Sequence, residues 1–448
     1  MLTPNQAQDR VTALIALARA AGADAADAVY SGGSSESVAV RLGQLEDVER
    51  SESEHLDLRV FVGNRSASIG SSDLSEAALS ELANRAVAMA SAAPEDRFAG
   101  LAPEAMLFAG PLPELDLSDS HEPSPHELRE LALAAEDSAR AVPGVTNSEG
   151  GGASASTRVF ALATSHGFAA AYGGTGRAIS ATVVAGEGAG MQRDYAWRSA
   201  HHSADLPSPE EIGHQAGQRT VRRLNPGRVK SGQMPVVFDP RVGGSLIGHL
   251  AGAMAGSAIA RRASFLLDKD GAQLFAPGIT ITDDPLRLRG LNSRPFDGEG
   301  LATAPRNLVE DGRLTGWLMD SAAARQLGGA PTGHAVRGAG GAPGVAVSNV
   351  HLAAGSESVA ELIADIEEGV FVTELIGHGV NGVTGDYSRG ASGFLISKGE
   401  VLGPVAELTV AGNLIDMFAQ LRVASDLEWH RTVNVPTIRI DGMTVAGD

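Results

Sequence analysis

A chain with glycine at 55 of its 448 positions, and with aromatic residues at only 4%, cannot build its interior around large rings. Its cores must be assembled from Ala, Val, Leu and Ile, with many tight turns and with backbones in close approach. The length is enough for two or three ordinary domains, each burying its own core. Hydrophobic residues at 43% and charged residues at 20% exclude a disordered chain and a fibre. With 35 basic and 54 acidic residues the formal charge is −19, so a phosphate backbone is repelled on average. No Lys/Arg-rich run offers a local exception, which argues against direct nucleic-acid binding. The absence of cysteine excludes disulfides, thiolate catalysis and every Cys-containing metal site, and is compatible with a reducing cytoplasm.

The first residues, Thr3-Pro4-Asn5-Gln6, read as a helix start and not as a secretory leader: an N-cap Thr, Pro at the first helical position and Gln as capping-box partner. Residues 242–260 are almost all apolar or small, with glycines at 244, 248, 252 and 256. They are poor in Leu, Ile and Phe and lie mid-chain, so a tightly packed helix is expected and not a membrane span. His249 on it is expected to be a core histidine.

Helices are predicted over 4–21, from a capping box at Asp73 and Glu76 to about 91, from Ser124 to Pro143, and from Ser208 to about 223. Between them lie strands near 37–42, 56–62, 65–70, 158–164, 168–172 and 179–185. Asn225-Pro226-Gly227 is the clearest boundary, giving domains 1–224 and 225–448. The second half is predicted to hold a strand at 236–238, the glycine-ridged helix, and a hairpin over 307–320 turning at Asp311-Gly312. A helix over 358–368, a strand at 370–375 and a hairpin over 393–406 turning at Lys398-Gly399 complete it. Strands in groups with helices between them argue for an α+β fold with largely antiparallel sheets in two domains.

Several motifs are decoys. His121-Glu122-Pro123-Ser124-Pro125-His126 has H-E-x-x-x-H spacing, but its two prolines keep the histidines off a common helical face. The string from Gly377 to Gly382 matches G-x-G-x-x-G, yet a turn-rich segment follows it where a nucleotide site needs a helix. Ser388 or Ser392 with His378 could be imagined as a hydrolytic pair, but no orienting base is suitably spaced. The densest chemistry lies between Thr373 and Ser392, read as a loop in which glycines alternate with polar residues. Within it, Asp386 and Arg389 could satisfy each other.

That region carries a resemblance. Thr373-Glu374-Leu375-Ile376-Gly377-His378-Gly379-Val380-Asn381, then Val383-Thr384-Gly385-Asp386-Tyr387-Ser388-Arg389-Gly390-Ala391-Ser392-Gly393-Phe394, closely resembles the C-terminal signature of the TldD/PmbA family. Residues 407–418, Met191-Gln192-Arg193-Asp194-Tyr195, Ser264-Phe265-Leu266 and Asp297-Gly298-Glu299-Gly300 continue the match, which spans essentially the whole chain and is nearest the PmbA (TldE) branch. The resemblance implies a PmbA/TldD-like fold, a cytoplasmic location, no membrane association and no direct nucleic-acid contact. It also implies a non-catalytic subunit that pairs, as a heterodimer, with a TldD-like zinc peptidase acting on flexible peptides or unfolded proteins.

Counting back from Ser264, the zinc-binding histidines of such a partner fall about where this chain has Ile247 and Gly252, and the glutamate falls at Gly248. None of these can ligate zinc or act as a base, so no cofactor is expected in this chain, zinc being expected in the partner. His378, Asn381, Asp386, Tyr387 and Arg389 are the residues expected to touch peptide substrate or partner. The alternative is a self-associating, peptide-binding or chaperone-like protein without peptidase activity, a homodimer in isolation.

Overall fold

The computed structural model describes residues 1–338 and 341–447. Helix α1 (Pro4–Ala20) begins with the expected box: Thr3 Oγ1 accepts from the Gln6 amide, and Gln6 Oε1 accepts from the Thr3 N–H. Six strands follow: β1 (Ala25–Arg41), β2 (Gln44–Val62), β3 (Arg65–Ser71), β4 (Val145–Thr164), β5 (Ala169–Ala185) and β6 (Gln192–Ala200). They form one antiparallel sheet in the order β3-β2-β1-β4-β5-β6. The strands run well past the expected segments, because residues 44–53 of β2 are exposed throughout and carry no buried alternation to read.

Four helices cover one face of this sheet. Helices α1 and α2 (Glu76–Ala92) bury Leu14, Leu79 and Leu82 against Ala28, Tyr30 and Leu58. Helices α3 (Pro125–Arg140) and α4 (Pro209–Arg222) cover Ile179, Ala181 and Val183. The cap of α2 is Ser75, not Asp73; Asp73 instead accepts from the Ser75 N–H. Helices α3 and α4 touch backbone to backbone, since a Cβ on Gly213 would stand 2.0 Å from the Ala135 carbonyl oxygen. Side chains alternate along a strand, so Val29 and Leu162 point to the opposite face, where they meet Phe296 from the second half.

The second half starts with β7 (Gly232–Phe238), α5 (Pro240–Ala253) and α6 (Gly256–Ala260). Strands β8 (Ile281–Asp283), β9 (Arg306–Glu310) and β10 (Arg313–Leu314) precede α7 (Ser321–Leu327), β11 (Ala335–Val336), β12 (Gly344–Val345), β13 (Val350–Leu352) and α8 (Val359–Ile363). Last come β14 (Glu368–Ile376), β15 (Asp386–Ser397), β16 (Glu400–Asn413), α9 (Leu414–Ala419), β17 (Leu421–Val423), β18 (Val433–Asn434) and β19 (Ile438–Ala446). Strands β16-β15-β14-β7-β19 close into a small barrel, because β19 pairs back onto β16. The β14–β7 pair is parallel, and the other barrel pairings are antiparallel. The fold is α+β with largely antiparallel sheets.

Two expectations are corrected here. The glycine-ridged segment is two helices, not one, interrupted at Met254 and Ala255. The Gly256 amide donates to the Leu318 carbonyl at 2.7 Å, and a Cβ there would meet Met319 Cγ at 2.8 Å, so the last glycine of the row admits a crossing backbone. The helix expected over 358–368 is the five-residue α8. Among the described residues, no helix is long and apolar enough to cross a membrane.

Candidate functional site

Helix α5 holds the site together from its amino end. Asp239 caps it, its carboxylate accepting from the Arg241 N–H, and Leu246, Ile247 and Leu250 bury one side in the barrel core. The opposite side carries Arg241, Gly244, Ser245, Gly248 and Gly252. A cavity of about 510 Å³ opens over Arg241, Gly244 and Ser245, bounded by Arg158 and Trp197 of the first sheet and by Arg431. A second, of about 300 Å³, shares Arg241 and Ser245 and reaches Thr373, Glu374 and Arg389. The two cavities make a cleft along α5 between the two halves of the chain.

The cleft is braced by a chain of ion pairs. Asp194 on β6 accepts from both terminal nitrogens of Arg241, at 2.8 and 2.9 Å, and from Arg223 at 3.3 Å. Arg223 continues to Glu374 on β14 and to Ser392 Oγ on β15, and the Ser392 hydroxyl donates to Glu374 at 2.9 Å. Burial pushes the Asp194 carboxyl up, but the hydrogen bonds and charge of Arg241, with Arg223, outweigh it and hold the group below the usual carboxylate range. The hydroxyl of Ser392 is therefore engaged in the brace, not poised as a nucleophile.

The segment between Thr373 and Ser392 departs from the expected loop. Residues from Asp386 onward belong to β15, and the connection covers 377–385. Glycines permit this strand to sit between two neighbours: a Cβ on Gly393 would lie 1.9 Å from the Phe371 carbonyl oxygen. Asn381 and Asp386 serve the connection itself. Asn381 Oδ1 accepts from the Val383 and Thr384 amides, and Asp386 accepts from Thr384 Oγ1 at 2.6 Å and from Asn413 Nδ2 at 3.3 Å. Asp386 and Arg389 do not pair, because residues three apart on a strand face opposite ways; Arg389 Nε donates to the Ile376 carbonyl instead. His378 is exposed at the outer end of the connection.

Tyr387 and Arg389 share the inward side of β15 and come up against α5. The Tyr387 ring is buried and meets His249 edge-on, with centroids 6.3 Å apart. Neither Tyr387 OH nor His249 Nε2 has a hydrogen-bond partner among the described residues, so His249 is not the satisfied core histidine expected. Burial, eased slightly by Arg389, pushes the Tyr387 phenol up to about 12; burial and then Arg389 push the His249 imidazole down. Ser264 Oγ donates to the Ala253 carbonyl, and the Phe265 amide donates to Gly382, tying the end of α5 to the 377–385 connection.

The positions where a metal-bearing helix would place its ligands are also resolved. Ile247 is in the core, while Gly248 and Gly252 are exposed, with open space where a Cβ would be. His121, outside α3, and His126, within it, pair with Glu127 and Glu130 respectively and share no helical face. Sequence reading missed the arginines in and beside the cleft, Arg158, Arg198, Arg219, Arg241 and Arg431. They are scattered over 274 positions of an acidic chain, and no local signal groups them.

Three family descriptions match in chain order: PmbA/TldA metallopeptidase domain 1 over residues 26–90, the central domain over 118–224, and the C-terminal domain over 231–447. The chain is 38% identical to Metalloprotease PmbA of Escherichia coli O157:H7, over 95% of this chain and 92% of that one. It is 36% identical to the Metalloprotease PmbA homolog of Haemophilus influenzae, over 98% and 95%. Among solved structures it resembles a Bacteroides thetaiotaomicron protein described as a modulator of DNA gyrase, with a TM-score of 0.91, 26% identity and 100% of both chains covered. It shares its fold with TldE from Thermococcus kodakarensis, with a TM-score of 0.86, 22% identity and coverage of 98% and 100%. The names of the first two imply a metal, and the donors present do not fit one. At Ile247, Gly248 and Gly252 helix α5 offers hydrocarbon and bare backbone, His249 has no carboxylate beside it, and no group of three or more His, Asp or Glu among the described residues could hold an ion.

Proposed function

Because the chain belongs to the PmbA/TldD metallopeptidase family, we propose that it is the subunit lacking a metal-binding helix in a two-chain zinc peptidase acting on flexible peptides. A TldD-like partner would carry the zinc, and this chain would supply one wall of the chamber that receives the peptide. The observation that carries the reading is the outer side of α5. Gly248 and Gly252 offer no donor and leave open space, and Ile247 is turned into the core.

The cleft along that helix suits a chain segment in extended form. Strand β6 borders it and, among the described residues, pairs on one side alone, with β5. A free strand edge can bind a peptide backbone with tolerance of its sequence.

The test is metal analysis and a peptide-cleavage assay on the purified chain, alone and with a TldD-like partner. The expected result is substoichiometric zinc and no cleavage alone, with cleavage when the partner is added. Stoichiometric zinc with cleavage by the isolated chain would overturn the reading. Size-exclusion chromatography of the mixture separates it from the alternative: no mixed complex, together with peptide binding by a self-associated chain, would favour a holding protein.

A further inference from the structure

Four arginines from four separate segments line the cleft and the recess beside it, in a chain whose net charge is −19: Arg158 on β4, Arg198 on β6, Arg241 on α5, and Arg431; a fifth, Arg219 on α4, is near enough to act on Arg198 and Arg241 by charge. Arg241 is neutralised by Asp194. Among the described residues, Arg198, Arg219 and Arg431 donate to neutral groups: the Trp197 carbonyl, the Tyr195 carbonyl and His430 Nε2. The nearby carboxylates are already engaged or turned to solvent: Asp194 is held by Arg241 and Arg223, Asp239 by the amino end of α5, and Asp205, which lines the recess, by Arg289, while Glu428 is exposed beside His430 Nδ1. Arg198 and Arg431 line a recess, and Arg219 lies close enough for its charge to act on Arg198 and His430; all three are half-buried, so their mutual repulsion is poorly screened.

Such an arrangement is costly to the empty protein and favourable once an anion enters. We propose that this recess is a carboxylate-binding subsite, in which Arg198 and Arg431, with the charge of Arg219 nearby, receive an acidic side chain or the free C-terminus of a peptide lying in the cleft. The inference rests on the peptide-handling reading above. Guanidinium groups present paired N–H donors that match a carboxylate. The amino end of α5 adds its partial positive charge from the same side. A duplex nucleic acid would need a broad exposed basic face, which the recessed cluster does not provide.

Two further features bear it out. Burial, with the charges of Arg198, Arg431 and Arg219, pushes His430 down to about 4, so its ring is neutral at pH 7 and accepts from Arg431 Nε at 3.2 Å. The Arg431 guanidinium is also held over the Trp197 ring at 5.2 Å, while Arg287 lies over Trp429 at 3.8 Å. A cavity of about 260 Å³ reaches Arg198, Arg287, Trp429 and Arg431 and adjoins the larger one through Arg431.

Two of the chain's three tryptophans therefore report on the recess. The full chain would be titrated with glutarate and followed by tryptophan fluorescence. Fluorescein-labelled unstructured peptides would be followed by anisotropy: a Glu pair against a Gln pair, each with a free and with an amidated C-terminus. Variants Arg198→Gln, Arg431→Gln and Arg431→Lys would be compared, each checked for an unchanged or raised Tm. The expectation is saturable glutarate binding that weakens at least tenfold in both Gln variants, and acidic peptides bound at least tenfold more tightly than neutral ones. The amidated arms show whether a side chain or the C-terminus supplies the group. No glutarate response, or one unchanged in the Gln variants, overturns the subsite. Peptides bound equally whatever their charge sink it while leaving the peptide-handling reading intact. Arginine-dependent glutarate binding with no peptide bound keeps the carboxylate site and sinks that reading.

Discussion

Asp194 and Arg241 form a two-pronged ion pair, with N–O distances of 2.8 and 2.9 Å, that fastens the outermost strand of the first sheet to helix α5 of the second half. The aspartate lies within the Met191-Gln192-Arg193-Asp194-Tyr195 stretch, so a motif that reads in sequence as a signature is, in space, the fastening of the cleft. Its position explains how a helix with bare glycines on its outer side keeps a fixed place: its amino end is clamped by charge and its inner side by Leu246, Ile247 and Leu250.

Replacing Asp194 by Asn should therefore be costly. The substitution leaves Arg241 and Arg223 beside a neutral amide in a site where the aspartate is 3% exposed, and loss of one member of a buried pair costs about 3–5 kcal/mol. Urea unfolding should show that loss, whereas Arg228→Ala, which breaks the exposed Arg228–Glu407 pair, should cost less than about 1 kcal/mol. Equal effects of the two would refute the clamp.

Gly248→Ala should raise stability. Its Cβ would meet nothing within 4 Å, and alanine in a helix interior is favoured over glycine by roughly 1 kcal/mol. Thermal melts of the isolated chain should show a higher Tm. If the proposed complex needs close approach to this side of α5, the same variant should bind its TldD-like partner or a peptide more weakly. A lower Tm would mean that the open side of the helix has been misplaced.

Local chemistry was legible in the sequence, and long-range charge was not. The capping box at Thr3 forms as read, and Ser124 and Ser208 start their helices as read, each boxed with a glutamate three residues on, whereas the box expected at Asp73 gives way to a cap at Ser75. The turns at Asp311-Gly312 and Lys398-Gly399 adopt positive φ at both residues, as a tight hairpin demands. By contrast the first half of β15, up to Ser392, has the sequence of a loop, because its glycines and polar residues carry no strand signal until Phe371 and its neighbours are beside them. The pairing of Asp194 with Arg241 and the gathering of Arg198, Arg219 and Arg431 depend on the halves being docked. No window of sequence contains them.

Glu299, in the Asp297-Gly298-Glu299-Gly300 stretch, gives a pH signature. Burial pushes its carboxyl up from 4.5 to about 7, against the pull of Arg59 and of the hydrogen bonds from Ser321. Between those two pH values the native chain holds a proton that the unfolded chain has released, so stability falls as pH rises through the window and levels off above it. Glu299→Gln mimics the protonated acid. Its advantage over the parent should grow from near zero below pH 4.5 to as much as about 3 kcal/mol above pH 7, by linkage. Urea titrations at pH 5, 6, 7 and 8 measure this, and a constant difference across the series would rule the assignment out.

Tyr387→Phe separates scaffold from site within the signature itself. The ring fills core space between β15 and His249 and is 1% exposed, so removing the whole side chain would open a cavity. Removing the hydroxyl alone deletes a buried polar group that has no hydrogen-bond partner among the described residues, and whose presence therefore costs free energy. The variant should be as stable as the parent, or more stable by about 1–2 kcal/mol. Because the hydroxyl is buried and Tyr387 lines neither cavity of the cleft, peptide affinity should be unchanged in the same variant. Unfolding curves and peptide anisotropy on one preparation measure both. A loss of stability would mean that the hydroxyl has an intramolecular partner.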